Sequence, residues 1–267
     1  MVFEACEGDS CMRANNISQS NSDAESHSLG RSVVLHLLPG VLILLFYLIT
    51  APFAVKLGFP SGTAIFVAIG VVLIPFELGY LFVQGRKRNR TLSLKGIVRF
   101  REPMPWWLML GLAVPLVLWL GFVFAVLGPP LDTCIIHRLF AWVPDWFFLF
   151  GPANQLAQYS KSALIVTGIL NLILNGMAGP VVEELYFRGY LLPGLSRLKG
   201  WAPLINVLLF SLYHFFTPWE NPVRIIALLP LVYLVWWKKN IYLGMIVHCG
   251  GNTIGAIGML TAVLNMG

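Results

Sequence analysis

Seven long apolar stretches, separated by short polar segments, follow residue 31 of this chain. Each is close to the ~20 residues that an α-helix needs to cross the hydrocarbon core of a bilayer. The pattern therefore predicts an all-α, polytopic transmembrane bundle of about seven helices. The stretches run over residues 32–55, 61–84, 104–128, 162–182, 201–217, 222–237 and 240–264.

Two further segments differ from this pattern. Residues 1–31 are rich in Ser, Asn and acidic residues, which predicts a polar, disordered tail. Residues 129–161 are aromatic and contain proline, which predicts an interfacial belt or a short surface helix, with a partial eighth span as the alternative. The chain is thus divided into the tail 1–31, a first membrane region 32–161 and a C-terminal membrane region 162–264.

The composition supports a membrane protein. The 267 residues are 57% hydrophobic and 11% charged, whereas a soluble domain carries about 25% charged residues. The net charge of +6 is then a topology signal, and we expect no nucleic-acid partner. The four cysteines are too scattered for a disulfide framework or a cysteine zinc site.

The basic residues predict the orientation, because cytoplasmic loops carry an excess of Lys and Arg. Seven of them lie between the second and third stretches, within residues 86–101. Alternation of the spans then places fourteen basic residues on the side of that loop and four on the other. The pattern predicts a cytoplasmic N-terminus and puts the connector 183–200 at the cytoplasmic face.

Three polar motifs stand inside the apolar C-terminal region. Ionisable groups at membrane depth are costly, so such residues are hypotheses for a functional site. In the third motif the two polar residues are four apart and share one helix face. The motifs are Glu183-Glu184-x-x-x-Arg188, Phe210-x-x-x-His214 and His248-x-x-x-Asn252.

Each motif alone has a structural alternative. Glu184 and Arg188 have the spacing of a helix-end salt bridge. A single histidine in a span is usually a hydrogen-bonded core residue, and Asn252 is also suited to bonding between helices. Glu77, in the second stretch, is a further acid that we leave unassigned.

Taken together, the ordered motifs resemble those of the CPBP family of intramembrane proteases. That family includes the type II CAAX prenyl endopeptidases and bacteriocin-processing and self-immunity proteins. The resemblance covers residues 162–264 and implies a four-helix catalytic core there. It also implies that Glu183, His214 and His248 are the residues that matter most.

Peptide hydrolysis needs an activated water, a proton donor for the leaving amine and donors for the oxyanion. The chain has neither a Gly-x-Ser-x-Gly nor a His-Glu-x-x-His motif, so we interpret a Glu–His pair as the means of activating water. Glu183 is assigned as general base, and His214 as the residue that helps to hold or deprotonate the water. The remaining assignments are oxyanion donors, His248 and Asn252, and supporting residues, Glu184, Arg188 and Phe210.

The same residues raise the question of a metal. Glu183, His214 and His248 would suffice for a catalytic zinc with an open water position. They come from separate helices, however, and the sequence identifies no carboxylate partner for the histidines. We favour a metal-independent mechanism, with zinc as the alternative.

The resemblance implies a membrane-associated or lipidated peptide or protein as substrate, cut near the cytoplasmic face. This would be CAAX-type processing, or bacteriocin maturation and self-immunity. The short loops favour a bacterial cytoplasmic membrane over the endoplasmic reticulum. The rival readings are a non-catalytic immunity or scaffold protein, and a proton- or ion-coupled transporter, which would spread its ionisable groups over several depths.

Overall fold

The computed structural model describes residues 26–150 and 153–266, so most of the predicted tail 1–31 lies outside the described residues. Every regular element in the described residues is helical, apart from one isolated bridge between Arg101 and Asn240. The prediction of an all-α membrane bundle is confirmed. The main helices are α1 (Leu29–Lys56), α2 (Gly62–Asn89), α3 (Trp106–Leu139), α4 (Lys161–Gly194), α5 (Ala202–Leu212), α6 (Asn221–Lys238) and α7 (Ile241–Leu264).

Five of these helices, α1 to α4 and α7, are long and apolar enough to cross a membrane. The other two, α5 and α6, coincide with the fifth and sixth apolar stretches but do not meet the same test of length and composition. A bundle of seven spans is compatible with this arrangement, and the number seven stays a prediction.

The fourth span is longer than predicted. We expected it to end at residue 182, whereas α4 continues to Gly194. Eleven residues, or ~16 Å of helix, separate Glu183 from that end. The prediction that the fourth span gives way to a connector at residue 183 was therefore wrong. A span predicted from apolar residues ends at the first charged residue. Here both glutamates are buried, and the helix continues past them.

The segment after α3 packs back onto the bundle. Its described residues form two short 3₁₀ turns, Asp145–Phe147 and Ala153–Gln158, and no eighth span. The Tyr47 hydroxyl on α1 donates to the Phe147 carbonyl at 2.9 Å. The Phe147 ring also meets the Trp219 ring edge-on, with centroids 6.2 Å apart. The aromatic segment thus covers one end of the helices.

Helices α1 and α5 meet at a glycine. A Cβ at Gly40 would overlap the carbonyl oxygen of Tyr213, the residue that follows α5. Only a glycine lets α1 approach the Tyr213 backbone this closely. The contact fixes the height at which Tyr213 and its neighbour His214 stand in the bundle.

Candidate active site

Helix α4 widens where it passes the site, because π-type turns replace α-turns over Asn171–Ala178. The Gly179 N–H bonds to the carbonyl of Leu174, five residues earlier. The Asn175 carbonyl therefore loses its usual helical donor, and Nδ2 of Asn252 on α7 donates to it at 2.9 Å. The irregular helix thus holds Asn252 in place.

A proline produces a second link of the same kind. Pro180 has no N–H to donate to the Gly176 carbonyl four residues earlier. The Thr253 hydroxyl on α7 donates to that carbonyl at 3.2 Å. Single-turn π segments occur frequently at functional sites, and here they let side chains of α7 bond directly to the backbone of α4.

The carboxylate of Glu183 is held from two sides. The hydroxyl of Tyr213 donates a hydrogen bond to one of its oxygens. Nε2 of His248 lies 3.7 Å from the other. Sequence reasoning missed Tyr213. The available signal was a tyrosine in an apolar segment directly before His214, because a buried tyrosine hydroxyl usually finds a partner.

The second glutamate, Glu184, makes two contacts. Its Oε1 lies 3.1 Å from Nδ1 of His248 and 3.4 Å from Nη1 of Arg188. Both Glu184 and Arg188 are completely buried. A Cβ at Gly244 would overlap the free oxygen of Glu184, so the glycine on α7 makes room for the carboxylate. The sequence identified no carboxylate partner for the histidines, and Glu184 supplies one for His248.

Phe210 supports both Arg188 and His214. The guanidinium carbon of Arg188 lies 3.9 Å from the centre of the Phe210 ring, a cation–π contact. The Phe210 carbonyl accepts a hydrogen bond from Nδ1 of His214 at 2.9 Å. In a neutral imidazole this bond leaves Nε2 as an acceptor.

His214 itself lies just outside a helix. We predicted a span over residues 201–217, whereas α5 ends at Leu212 and His214 stands in the turn that follows. The turn is held by Arg224 on α6, which donates to Thr217 at 2.8 Å and to Glu220 at 2.6 Å. Sequence reasoning did not identify this role of Arg224.

Two cavities meet at these side chains. The smaller, of about 60 Å³, is lined by Tyr213 and by all four residues predicted to carry the chemistry, Glu183, His214, His248 and Asn252. A cavity can hold a buried water when its volume is at least ~10–15 Å³, so this cavity has room for water. The larger cavity, of about 250 Å³, shares His214, His248 and Asn252 with it.

Glu77 is the other buried acid near the site. It is fully buried on α2, and within the described part of the chain neither carboxylate oxygen has a hydrogen-bond partner. It does not line either cavity and stays unassigned.

A catalytic zinc would need three protein ligands gathered at one point. Among the described residues, no three His, Cys, Asp or Glu side chains are gathered closely enough to hold a metal ion. The carboxylate of Glu183 is instead engaged by Tyr213 and His248. We therefore route no step of the mechanism through a metal.

A buried glutamate beside His248 shares a cavity with His214 inside a bundle of apolar helices, and this defines the class: a membrane protein with a polar, water-sized cavity. Residues 165–254 match the family model described as Rce1-like, type II CAAX prenyl endopeptidase. The matched range contains all three motifs, so the predicted resemblance to CPBP intramembrane proteases is confirmed. Searches of curated proteins and of solved structures found no significant match.

Proposed function

We propose that this protein is an intramembrane endopeptidase that hydrolyses a peptide bond of a membrane-associated or lipidated peptide or protein. The observation that carries the proposal is the shared cavity of Glu183, His214, His248 and Asn252. The family match gives the class of reaction, and the cavity gives a place for the attacking water.

In the proposed reaction Glu183 takes a proton from a water held by Nε2 of His214. The resulting hydroxide attacks the carbonyl carbon, and Glu183 passes the proton to the leaving amine as the C–N bond breaks. Asn252 uses one N–H for Asn175, and its second N–H is free to donate to the oxyanion. Nδ1 of His248 faces Glu184, so His248 adds a second donor, through Nε2, when both of its ring nitrogens carry a proton. Tyr213 keeps the Glu183 carboxylate aimed at the cavity.

The larger cavity supports an apolar substrate. Nine of its seventeen lining residues are aliphatic or aromatic, and Arg224 is the one Lys or Arg side chain among the described residues that line it. Such a wall suits a hydrophobic side chain or a lipid chain. The apolar lining residues are Ile65, Phe66, Leu120, Phe124, Leu149, Phe150, Phe210, Phe216 and Leu228.

The position of this cavity changes one expectation. It is lined by Leu149, whose carbonyl bonds to Gly62 at the first residue of α2, while the basic residues 86–101 follow the other end of that helix. The cavity therefore extends away from the basic loop. We propose cleavage within the bilayer rather than at the cytoplasmic face, in a bacterial cytoplasmic membrane with the N-terminus inside.

The direct test is cleavage of a matched peptide pair by the purified full chain in lipid nanodiscs. One peptide carries a C-terminal prenyl group and the other has the same sequence without it. We expect a single internal cut, identified by mass spectrometry, with the lipidated peptide preferred. Stable binding of the lipidated peptide with no product would favour the non-catalytic scaffold instead.

Chelation should leave this cleavage unchanged. The catalytic steps use Glu183 and His214 directly, and the described residues gather no three-ligand set. The measurement is activity before and after exhaustive treatment with a zinc chelator, together with metal analysis of the purified protein. Stoichiometric zinc whose removal abolishes cleavage would overturn the metal-free mechanism.

Replacing Tyr213 with Phe should lower kcat by roughly 10-fold or more with little change in KM. The substitution removes a hydrogen bond to a carboxylate, and bonds to charged groups are worth about 1.5–3 kcal/mol. Tyr186→Phe is the matched control, because its buried hydroxyl donates to the Leu35 carbonyl at 2.9 Å, away from Glu183. Equal losses in the two variants would show that Tyr213 acts only through stability.

A further inference from the structure

A second cavity, remote from the Glu–His site, opens at the basic end of the bundle. It measures about 370 Å³, within the ~300–1,000 Å³ range of small-molecule sites. It lies between the end of α2, the loop that follows α2, and the end of α4. The side chains that matter here are Lys87, Arg88, Arg99, Gln84 and Tyr190.

Within the part of the chain that the structure describes, the cavity carries positive charge without a counter-charge. None of its described lining residues is acidic, and the salt bridges found among the described residues include neither Lys87, Arg88 nor Arg99. The Arg88 side chain donates to the Gly96 carbonyl at 3.1 Å and to no other group of residues 26–150 and 153–266. Burial and then the charge of Arg88 lower the pKa of Arg99. Positively charged side chains this close together repel each other, and an anion bound between them would relieve the repulsion.

Exposed tryptophans place the cavity at the level of the lipid headgroups. Trp106 begins α3, Trp201 directly precedes α5 and Trp237 lies near the end of α6. They are 74%, 68% and 66% exposed, and all stand at the basic end. Tryptophans at helix ends form the belt that lies at a membrane–water interface. A pocket at the same depth as these tryptophans is therefore open to the phosphate groups of the lipids.

We propose that this pocket binds a phosphate group, supplied by the headgroup of an anionic lipid in the leaflet around it. Arginine forks bond phosphate oxygens in pairs, and Lys87 adds a third positive charge. Basic pockets between membrane helices are suited to such headgroups. Tyr190 lies on α4 seven residues after Glu183, so the bound lipid would contact the helix that carries the Glu–His site. The proposal does not depend on the protease activity.

The test compares two triple variants of the full chain with the same change in charge. The pocket variant is Lys87→Gln, Arg88→Gln and Arg99→Gln. The control is Arg86→Gln, Arg90→Gln and Lys95→Gln, whose side chains are exposed and do not line the cavity. Native mass spectrometry measures retention of phosphatidylglycerol and of neutral phosphatidylcholine, and thermal unfolding checks that both variants are folded.

We expect the pocket variant to lose phosphatidylglycerol binding by about 100-fold, because each basic residue near an anionic surface contributes about one factor of five. The control variant should lose several-fold less phosphatidylglycerol binding. Binding of phosphatidylcholine should be unchanged in both variants. Equal losses in the two variants would overturn the pocket and leave only general surface charge. Binding of inorganic phosphate is measured in a second experiment. If phosphate binding requires the pocket residues while lipid binding does not, the proposal that a lipid supplies the phosphate is wrong.

Discussion

Replacing Glu183 with Gln should lower the rate of peptide hydrolysis by about 10²–10⁴-fold, the usual contribution of a general base. The amide keeps the size of the side chain and still accepts a hydrogen bond from Tyr213, but it cannot take a proton from water. The measurement is kcat for the lipidated peptide in nanodiscs, with thermal unfolding of both proteins in the same lipid.

The control for this variant is Glu102→Gln, which removes an exposed carboxylate outside the bundle core. It should leave kcat unchanged. His214→Ala should resemble Glu183→Gln, because both side chains line the same small cavity. Full activity in a folded Glu183→Gln protein would remove the water-activating base from the proposal, and with it the mechanism.

The three motifs could be found from the sequence because their spacing is local. A pair four residues apart on a helix meets on one face, and this spacing alone predicted the contact of Glu184 with Arg188. The bundle could be predicted from apolar length. The ends of the helices were harder to predict. Helix α4 continues past Glu183 because both glutamates are buried against other helices, and hydropathy does not detect such burial.

The contacts between helices were beyond the sequence. Tyr213 reaches Glu183 across 30 residues of chain, and His248 reaches Glu184 across 64. No periodicity encodes these distances. The bond from Asn252 to the Asn175 carbonyl depends on a π-type turn, which only the folded α4 reveals. Packing, rather than pattern, decides which polar side chains share a cavity.

Packing also explains why the second glutamate is present. Glu184 alone would be a buried carboxylate with no counter-charge, and Arg188 alone would be a buried cation over the Phe210 ring. Together they form an ion pair at 3.4 Å that also orients His248 through the same oxygen, Oε1 of Glu184. The pair thus connects the stability of α4 to the geometry of the Glu–His site.

Replacing Arg188 with Met should therefore destabilise the protein by about 3–5 kcal/mol, the cost of leaving one partner of a buried ion pair uncompensated. The measurement is unfolding in mixed SDS micelles. Arg101→Met is the control: its side chain is exposed and bonds only to the Tyr242 hydroxyl, so a change within about 0.5 kcal/mol is expected.

The double variant Glu184→Gln, Arg188→Met separates charge from packing. If the loss comes from the unpaired carboxylate, the neutral amide should restore part of the stability and give a coupling energy between the two positions. Additive losses would show instead that Arg188 stabilises α4 through its contact with Phe210. A single Arg188→Met variant as stable as the Arg101→Met control would mean that the ion pair of Glu184 and Arg188 does not stabilise α4.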